Sequence, residues 1–149
     1  MNRGGGSLVD ECDPQQAWDA LQADGSARLV DVRTRPEWSF VGIPDLSPLG
    51  RQAILTEWRV FPDMQINSRF AEALVAELGD DTPSHIYFLC RSGARSMEAA
   101  RTVSAHYAEQ GIDMPCTNVA EGFEGDLDEN RHRGSRNGWK ARGLSWRQS

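Results

Sequence analysis

The sequence predicts a single α/β domain built around a mostly parallel sheet, and three observations lead to this prediction. The chain has 149 residues, which is the usual length of one domain. Short apolar runs typical of strands alternate with segments of helical periodicity, as in β-α-β units. The run at 85–89 (HIYFL) is continuously apolar, as expected for a strand buried on both faces of a parallel sheet.

Composition and charge exclude several classes of protein. Hydrophobic residues make up 39% of the chain and charged residues 26%, which are ordinary globular values. No run approaches the ~18 apolar residues of a membrane span, and the first residues lack the apolar core of a secretory signal, so we expect a cytoplasmic protein with no membrane partner. The net charge is −6, and all 22 acidic residues lie within the first 130 residues, so nucleic-acid binding is not expected.

The first half of the chain begins with a predicted flexible, glycine-rich segment at 1–11, and a single domain follows at 12–149. Asp13 and Pro14 are typical of a helix start, with Gln16 at the capping-box position, and this helix should end near residue 23. A strand is predicted at 28–32, followed by a short helix at about 37–40 and a second strand at 53–55.

The second half repeats the alternation of helix and strand. Asn67 or Ser68 is predicted to cap a helix that ends near Leu78, with Gly79 after it. The strand at 85–89 leads through CRSGARS into a helix at about 96–110, and a short strand is predicted at 117–119. The polar remainder contains one helical turn near Trp139 and a long loop at about 122–138.

The predicted chemistry concentrates at Cys90, where the most buried strand ends. Ligands of parallel α/β proteins bind at the carboxyl ends of the strands, and the start of a helix favours the thiolate over the thiol. Arg91 and Arg95 add positive charge, and Gly93 allows the loop to curl with its amides turned inward as an anion-binding nest. A nucleophilic thiolate that attacks an anionic substrate needs this arrangement. The alternative is a structural role, in which Cys90 is an unreactive, buried residue at the end of a strand.

Three segments resemble the rhodanese-like sulfurtransferases. FLCRSGARS is similar to the active-site loop of that family, LVDVRTRPEW to its first-strand signature, and NGWKARGLSW to its closing segment. The matches occur in the order of the family and span residues 14–146. The resemblance implies a five-stranded, mostly parallel sheet flanked by helices on both faces.

The resemblance also implies a mechanism. Cys90 would take the outer sulfur of thiosulfate or a similar small anionic donor as a persulfide, and cyanide, a thiol or a protein acceptor would then remove it. The resemblance implies that the substrate is bound by the rest of the loop, which is Arg91, Ser92, Gly93, Ala94 and Arg95. The Asp31 and Arg33 signature is expected to be architectural. No metal and no cofactor is expected, because the histidines and cysteines lack ligand spacing.

The chain departs from the family pattern at three places. The usual Gly-His-Ile is replaced by Gly42-Ile43-Pro44, Ser145 stands where proline is usual, and the segment between Gly122 and Trp139 is longer than in typical members. Because this long loop follows a strand parallel to the one before Cys90, we expect it to start beside Cys90. Its basic half (Arg131, Arg133 and Arg136) either gathers the anionic donor or belongs to a solvated loop with internal salt bridges, and the second reading is favoured.

Two other functions stay open at this point. A non-catalytic persulfide carrier or docking module would serve one partner protein and keep the same loop. A phosphatase or arsenate reductase of related fold is less favoured, because such enzymes have five residues between the cysteine and the arginine, whereas four separate Cys90 from Arg95. Cys12 and Cys116 are expected to be structural or incidental. Trp38 and Trp58 follow strands and either wall the pocket or pack in the core or at a hinge, and the packing role is favoured.

Overall fold

The computed structural model describes residues 9–149, so most of the segment predicted to be flexible lies outside the described residues. The predicted boundary at residue 11 is wrong, because Asp10 and Glu11 belong to a strand, β1 (Asp10–Cys12). This strand has no apolar run. It forms because it pairs with a parallel neighbour, with Asp10 opposite Thr117 and Cys12 opposite Val119.

The remaining elements alternate between strand and helix much as the sequence predicts. They are α1 (Pro14–Ala23), β2 (Ala27–Asp31), α2 (Arg35–Phe40), β3 (Ile43–Pro44), a 3-10 turn (Ser47–Leu49), β4 (Ile54–Leu55), β5 (Arg59–Val60), β6 (Gln65–Ile66), α3 (Phe70–Leu78), β7 (His85–Leu89), α4 (Ala94–Glu109), β8 (Cys116–Val119) and β9 (Trp146–Arg147). The main sheet has the order β1-β8-β7-β2-β4 and all its pairs are parallel. The predicted five-stranded parallel sheet is therefore confirmed.

Helices cover both faces of the sheet, and a buried apolar cluster lies under each layer. On one face α3 and α4 pack against β2, β7 and β8, and on the other face α1 packs together with residues from the C-terminal part of the chain. The first cluster contains Val30, Phe70, Leu74, Phe88 and Val103, and the second contains Leu21, Leu29, Leu89, Phe123 and Trp139. Two hydrophobic layers on one parallel sheet are the usual solution of an α/β fold.

The helix starts show how far capping rules determine local structure. The Asp13 carboxylate accepts the backbone N–H of Gln16 at 2.8 Å, and the side-chain oxygen of Gln16 accepts the backbone N–H of Asp13 at 2.9 Å. The predicted capping box is therefore confirmed. The predicted cap of α3 is displaced. Asn67 accepts the amide of Arg69 in a local turn at 3.1 Å, and the helix begins only at Phe70.

The C-terminal segment returns to the body of the domain. Trp139 is fully buried and its indole N–H donates to the Ser145 carbonyl at 2.8 Å, while Arg142 donates to Gly138 in the one predicted helical turn. The strand β9 then pairs antiparallel with β3. The described residues contain no helix that is both long and apolar enough to cross a membrane.

The parallel sheet brings the ends of its strands to one edge, and this edge positions the site. The Val32 amide after β2 donates to Leu89 at 2.8 Å, and the Phe123 amide beyond β8 donates to Cys90 at 2.8 Å. The segment after β7 therefore lies between the segments that follow its two neighbouring strands, as expected for the carboxyl edge of a parallel sheet.

Candidate active site

Cys90 lies at the end of β7 with its thiol enclosed by the loop that follows. The residue is 1% exposed. Its Sγ accepts the backbone N–H of Gly93 at 3.1 Å and lies 3.2 Å from the hydroxyl of Ser96. A backbone N–H aimed at sulfur supports a negative charge there, which the reactive form of a cysteine requires.

The loop from Cys90 to Arg95 curls into the start of α4. Gly93 makes the bend with a φ of 118°, a value that residues with a side chain rarely adopt. The first hydrogen bond of the helix is donated by Met97 to the Gly93 carbonyl at 3.3 Å. The amides of Ala94, Arg95 and Ser96 precede this bond, so they lie at the positive end of a 16-residue helix.

Arg95 is held beside this loop by a carboxylate from another element. Its two terminal nitrogens donate to the two oxygens of Glu37 at 2.8 and 2.9 Å, and the hydroxyl of Thr34 donates to the same carboxylate. Burial alone would raise the pKa of Glu37, but the hydrogen bonds and charge of Arg95, together with Thr34, outweigh it and lower the pKa to about 2. Arg95 thus closes the loop by tying α4 to α2.

The other predicted loop residues differ in their exposure. Arg91 and Ala94 are exposed, and Ser92 and Gly93 are half-buried. Although Arg91 is exposed, its backbone carbonyl accepts the backbone N–H groups of Glu124 at 3.0 Å and Gly125 at 3.2 Å. Of the two loop arginines, Arg91 therefore faces solvent, whereas the other is fixed within the fold.

The Asp31–Arg33 pair lies at the end of β2, the strand beside β7, and is fully buried. The guanidinium donates to the carboxylate at 2.6 Å and to the Gly42 carbonyl at 2.7 Å, and it stacks on the ring of Phe123 with 4.2 Å between its central carbon and the ring centroid. These contacts join β2, the turn after α2 and the segment after β8. The expected architectural role of the pair agrees with this position.

The other two cysteines have surroundings that disfavour reactivity. Burial, with the nearby Asp13 and Glu11, raises the pKa of Cys12 to about 12, and burial with Asp113 raises the pKa of Cys116 to about 12. Both groups therefore remain thiols at neutral pH and are unreactive, because the thiolate is the reactive form. The described residues also contain no cluster of three or more histidine, cysteine or acidic side chains able to hold a metal ion.

The long loop starts against the cysteine loop, as expected from the parallel strands. A Cβ placed on Gly122 would lie 2.5 Å from the carbonyl oxygens of Cys90 and Arg91, so only glycine fits there. Two arginines of the basic half are engaged within the loop. Arg133 donates to the Gly125 carbonyl at 2.6 Å and Arg136 to the Leu127 carbonyl at 3.2 Å.

Two arginines of this loop donate to carbonyls of the loop itself, which supports the favoured reading of a surface loop that is held by its own contacts. The internal salt bridges expected there are wrong, because the described residues contain no salt bridge between the two halves of the loop. Backbone carbonyls take the place of the carboxylates as acceptors. Asp128 instead accepts the amide of His132 at 2.9 Å and the hydroxyl of Ser135 at 2.6 Å.

Sequence reasoning did not identify the polar residues behind the cysteine. Ser96 is fully buried, and its hydroxyl hydrogen-bonds to Oδ1 of Asn118, which is 1% exposed. Nδ2 of Asn118 donates to Glu11 at 3.0 Å and to the Gly93 carbonyl at 3.1 Å. The sequence offered one signal for these residues, the polar Asn118 within a short strand. All four residues of that strand are buried, and a buried polar side chain needs hydrogen-bond partners.

The fold and this site define a class of protein, and comparison with known proteins agrees with it. The family model of the rhodanese-like domain matches residues 13–129, which is most of the chain. The chain belongs to the rhodanese-like domain family. The expected family is therefore confirmed, and the matched residues include the first-strand signature and the cysteine loop, whereas the closing segment at 137–146 lies beyond them.

Several known proteins are similar over nearly the whole chain. An uncharacterised protein of Rickettsia rickettsii is 35% identical over 131 residues, which are 88% of this chain and 91% of that protein. One from Rickettsia prowazekii is 33% identical over 139 residues, covering 93% and 98% respectively. The crystal structure of Rv0390 from M. tuberculosis matches with a TM-score of 0.78 and 45% identity over 95% of this chain and 99% of that one.

Proposed function

We propose that this protein is a sulfurtransferase that carries sulfane sulfur on Cys90 as a persulfide. One observation carries the proposal: the buried Sγ of Cys90 accepts the Gly93 N–H at the amino end of α4. The first amides of the helix and the exposed Arg91 provide a positive environment for an anionic donor such as thiosulfate. Membership in the rhodanese-like family supports the same chemistry.

The first step loads the sulfur. The Cys90 thiolate attacks the outer sulfur of thiosulfate and forms a new S–S bond. The S–S bond of the donor breaks, and its electron pair leaves with sulfite. The persulfide then carries the negative charge on its outer sulfur, where amides at the start of α4 stabilise it.

The second step unloads it. Cyanide or a thiolate attacks the outer sulfur, the S–S bond to Cys90 breaks, and its electron pair returns to the cysteine as thiolate. The product is thiocyanate or a new persulfide on the acceptor. The two steps balance without an external oxidant, because the sulfur moves as a neutral atom between two nucleophiles.

The arrangement of Arg95 disfavours phosphoryl transfer. An enzyme that holds a phosphate in this kind of loop needs the arginine to reach the anion with its fork of N–H groups. Here both terminal nitrogens of Arg95 donate to Glu37. The short loop, with four residues between Cys90 and Arg95, agrees with sulfur rather than phosphate as cargo.

Steady-state transfer of sulfur from thiosulfate to cyanide tests the proposal. Cys90→Ser should lower the rate by more than about a thousandfold, since the proposed mechanism carries the sulfur on the Cys90 thiolate. Cys12→Ala is the matched control and should retain the rate of the wild-type protein. Equal rates for Cys90→Ser and wild type would refute the proposal. Loading of Cys90 without release to cyanide or small thiols would favour the persulfide carrier.

A further inference from the structure

We propose that Glu11, Asn118 and Ser96 form a directional hydrogen-bond chain that positions the cysteine loop and keeps the Ser96 hydroxyl proton away from Cys90 in the resting protein. Glu11 and Asn118 are positioning residues in this account, because neither contacts the sulfur. The inference deepens the proposed sulfur transfer and rests on it.

The hydrogen-bond chain crosses from β1, at the edge of the sheet, to the reactive thiol. Glu11 on β1 is the register partner of Asn118 on β8, and Nδ2 of Asn118 donates to its carboxylate at 3.0 Å. The side-chain oxygen Oδ1 of Asn118 hydrogen-bonds to the hydroxyl of Ser96, and this hydroxyl lies 3.2 Å from Sγ of Cys90. Asn118 and Ser96 are buried, so the hydrogen bond between them does not compete with water, whereas Glu11 at the outer end is exposed.

The acceptors at the outer end fix the direction of every bond. A carboxylate and a carbonyl can only accept, so Glu11 and the Gly93 carbonyl both require the NH₂ group of Asn118. Oδ1 of Asn118 must then face Ser96 and accept its only hydroxyl proton. The Ser96 oxygen then turns a lone pair toward Cys90 and has no hydroxyl proton left to donate to the sulfur.

The alternative acceptor for Ser96 is already occupied. Its hydroxyl also lies 3.2 Å from the Gly93 carbonyl, but that oxygen accepts from both Asn118 and the amide of Met97. When Cys90 ionises, Ser96 can donate to the thiolate only by leaving Asn118. Asn118 therefore governs how readily this hydroxyl stabilises the charged sulfur.

Asn118 also orients the loop. Because a peptide is planar and trans, its carbonyl and the following N–H point in opposite directions. Holding the Gly93 carbonyl on Asn118 therefore directs the Ala94 amide away from the sheet. Loss of this bond should loosen the amides on which the persulfide depends.

Two pairs of charged side chains lie near the thiol, and Arg91 in the same loop is exposed. Arg95 on α4 is held by Glu37 on α2 through two hydrogen bonds. Asp31, at the end of β2, is paired with Arg33. Substitutions within the hydrogen-bond chain leave all four of these side chains unchanged, so a change in thiol reactivity reports on the chain that begins at Glu11.

Two substitutions at Asn118 should change the reactivity of Cys90 in opposite directions. Asn118→Asp keeps an acceptor for Ser96 and adds negative charge, so alkylation of Cys90 by iodoacetamide at pH 7 should slow by about tenfold. Asn118→Ala releases the Ser96 hydroxyl to the thiolate, so alkylation should accelerate by about threefold or more. Both variants should lose at least about tenfold in the rate of persulfide formation from thiosulfate, because the Gly93 carbonyl is released.

A substitution at Glu11, which is exposed, keeps the proposal testable if substitutions at the buried Asn118 impair folding. Glu11→Ala should accelerate alkylation of Cys90 by about twofold to threefold, because the Asn118 amide loses the carboxylate acceptor that orients it and holds Ser96 less firmly. Asp10→Ala is the matched control, because it removes the same charge from the adjacent exposed position of β1 and should have no effect. Equal acceleration of alkylation in the two variants would overturn the proposed hydrogen-bond chain and indicate a simple effect of charge.

Alkylation does not require sulfur transfer, so the two proposals can fail separately. Cys12 and Cys116 should not contribute to the signal, because burial keeps both in the thiol form, with the pKa of each raised to about 12. Opposite shifts for Asn118→Asp and Asn118→Ala would support the chain even if thiosulfate proved not to be a donor. Shifts in the same direction would overturn it, because that result is expected of general loosening.

Discussion

Two arginine-bearing segments leave neighbouring strands at the same edge of the sheet, yet they are held in different ways. The cysteine loop at 90–95 is fixed from outside, by Glu37 on α2 and by the backbone of the segment after β8. The basic half of the long loop at 122–138 is fixed from within, since Arg133 and Arg136 donate to carbonyls of the same loop.

The difference shows that the acceptor, rather than the arginine, decides what an arginine does. Where a buried carboxylate from another element is in reach, the guanidinium ties two elements together and its charge stays beside the thiol. Where only the carbonyls of its own segment are in reach, the guanidinium shapes a surface loop. The two segments meet at Gly122, whose φ of 68° lets its backbone lie against the cysteine loop.

Among the substitutions that distinguish the two segments, the largest loss of stability is expected from Gly122→Ala, which disrupts the close contact between them. The new methyl would lie 2.5 Å from backbone atoms of Cys90 and Arg91, and backbone cannot swing aside. We expect a loss of about 2–4 kcal/mol in the free energy of unfolding, measured in urea, and more than tenfold in sulfur transfer.

Gly134→Ala is the matched control for this substitution. Gly134 also has a positive φ, 97°, but an added Cβ would meet nothing within 4 Å. It should therefore cost only the backbone strain, about 1 kcal/mol, with full activity. Equal losses at the two positions would show that the contact with the cysteine loop is unimportant.

The external tie of the cysteine loop should appear in the pH dependence of stability. The pKa of Glu37 is lowered to about 2 from an ordinary 4.5, so its pair with Arg95 stabilises the fold above pH 4.5. This contribution is lost as the pH falls toward 2. Glu37→Gln should therefore lower the free energy of unfolding by about 2 kcal/mol at pH 7, and the difference from wild type should shrink in acid.

Glu72→Gln provides the comparison for this pH series. Glu72 pairs with Arg69 one turn away at the start of α3, and both side chains are exposed. Its removal should change the free energy of unfolding by less than about 0.5 kcal/mol at any pH. A loss at Glu37 that persists unchanged to pH 2 would contradict the role of its charge.

The smallest effect is expected from removing the basic half of the long loop. Because Arg133 and Arg136 are engaged by carbonyls, Arg131→Ala, Arg133→Ala and Arg136→Ala together should leave the KM for thiosulfate within about twofold of wild type. Arg91→Ala, in the cysteine loop, should raise it by about fivefold. A comparable rise in the triple variant would restore the idea that this loop gathers the anionic donor.

Much of the fold was predictable because local chemistry decides it. The capping box before α1 and the apolar run of β7 each specify their element without help from distant residues. The strands β1 and β9 were not predictable, since each has two or three residues and exists only through its pairing with β8 or β3. Pairing of so short a strand depends on the fold around it.

The same division holds for the candidate site. The position of Cys90 and the bend at Gly93 followed from a strand, a cysteine and a glycine in sequence. The partner of Arg95 lies 58 residues away, and the partner of Asn118 lies 107 residues away in a segment predicted to be flexible. Contacts at such separations arise only when the sheet brings strand ends together.

Intact-protein mass spectrometry after incubation with thiosulfate tests the central claim most directly. The wild-type protein should gain one sulfur atom, cyanide should remove it, and Cys90→Ser should gain none. Release of that sulfur by cyanide would match the second step of the reaction. A sulfur atom that still adds to Cys90→Ser would contradict the account and move the chemistry to Cys12 or Cys116.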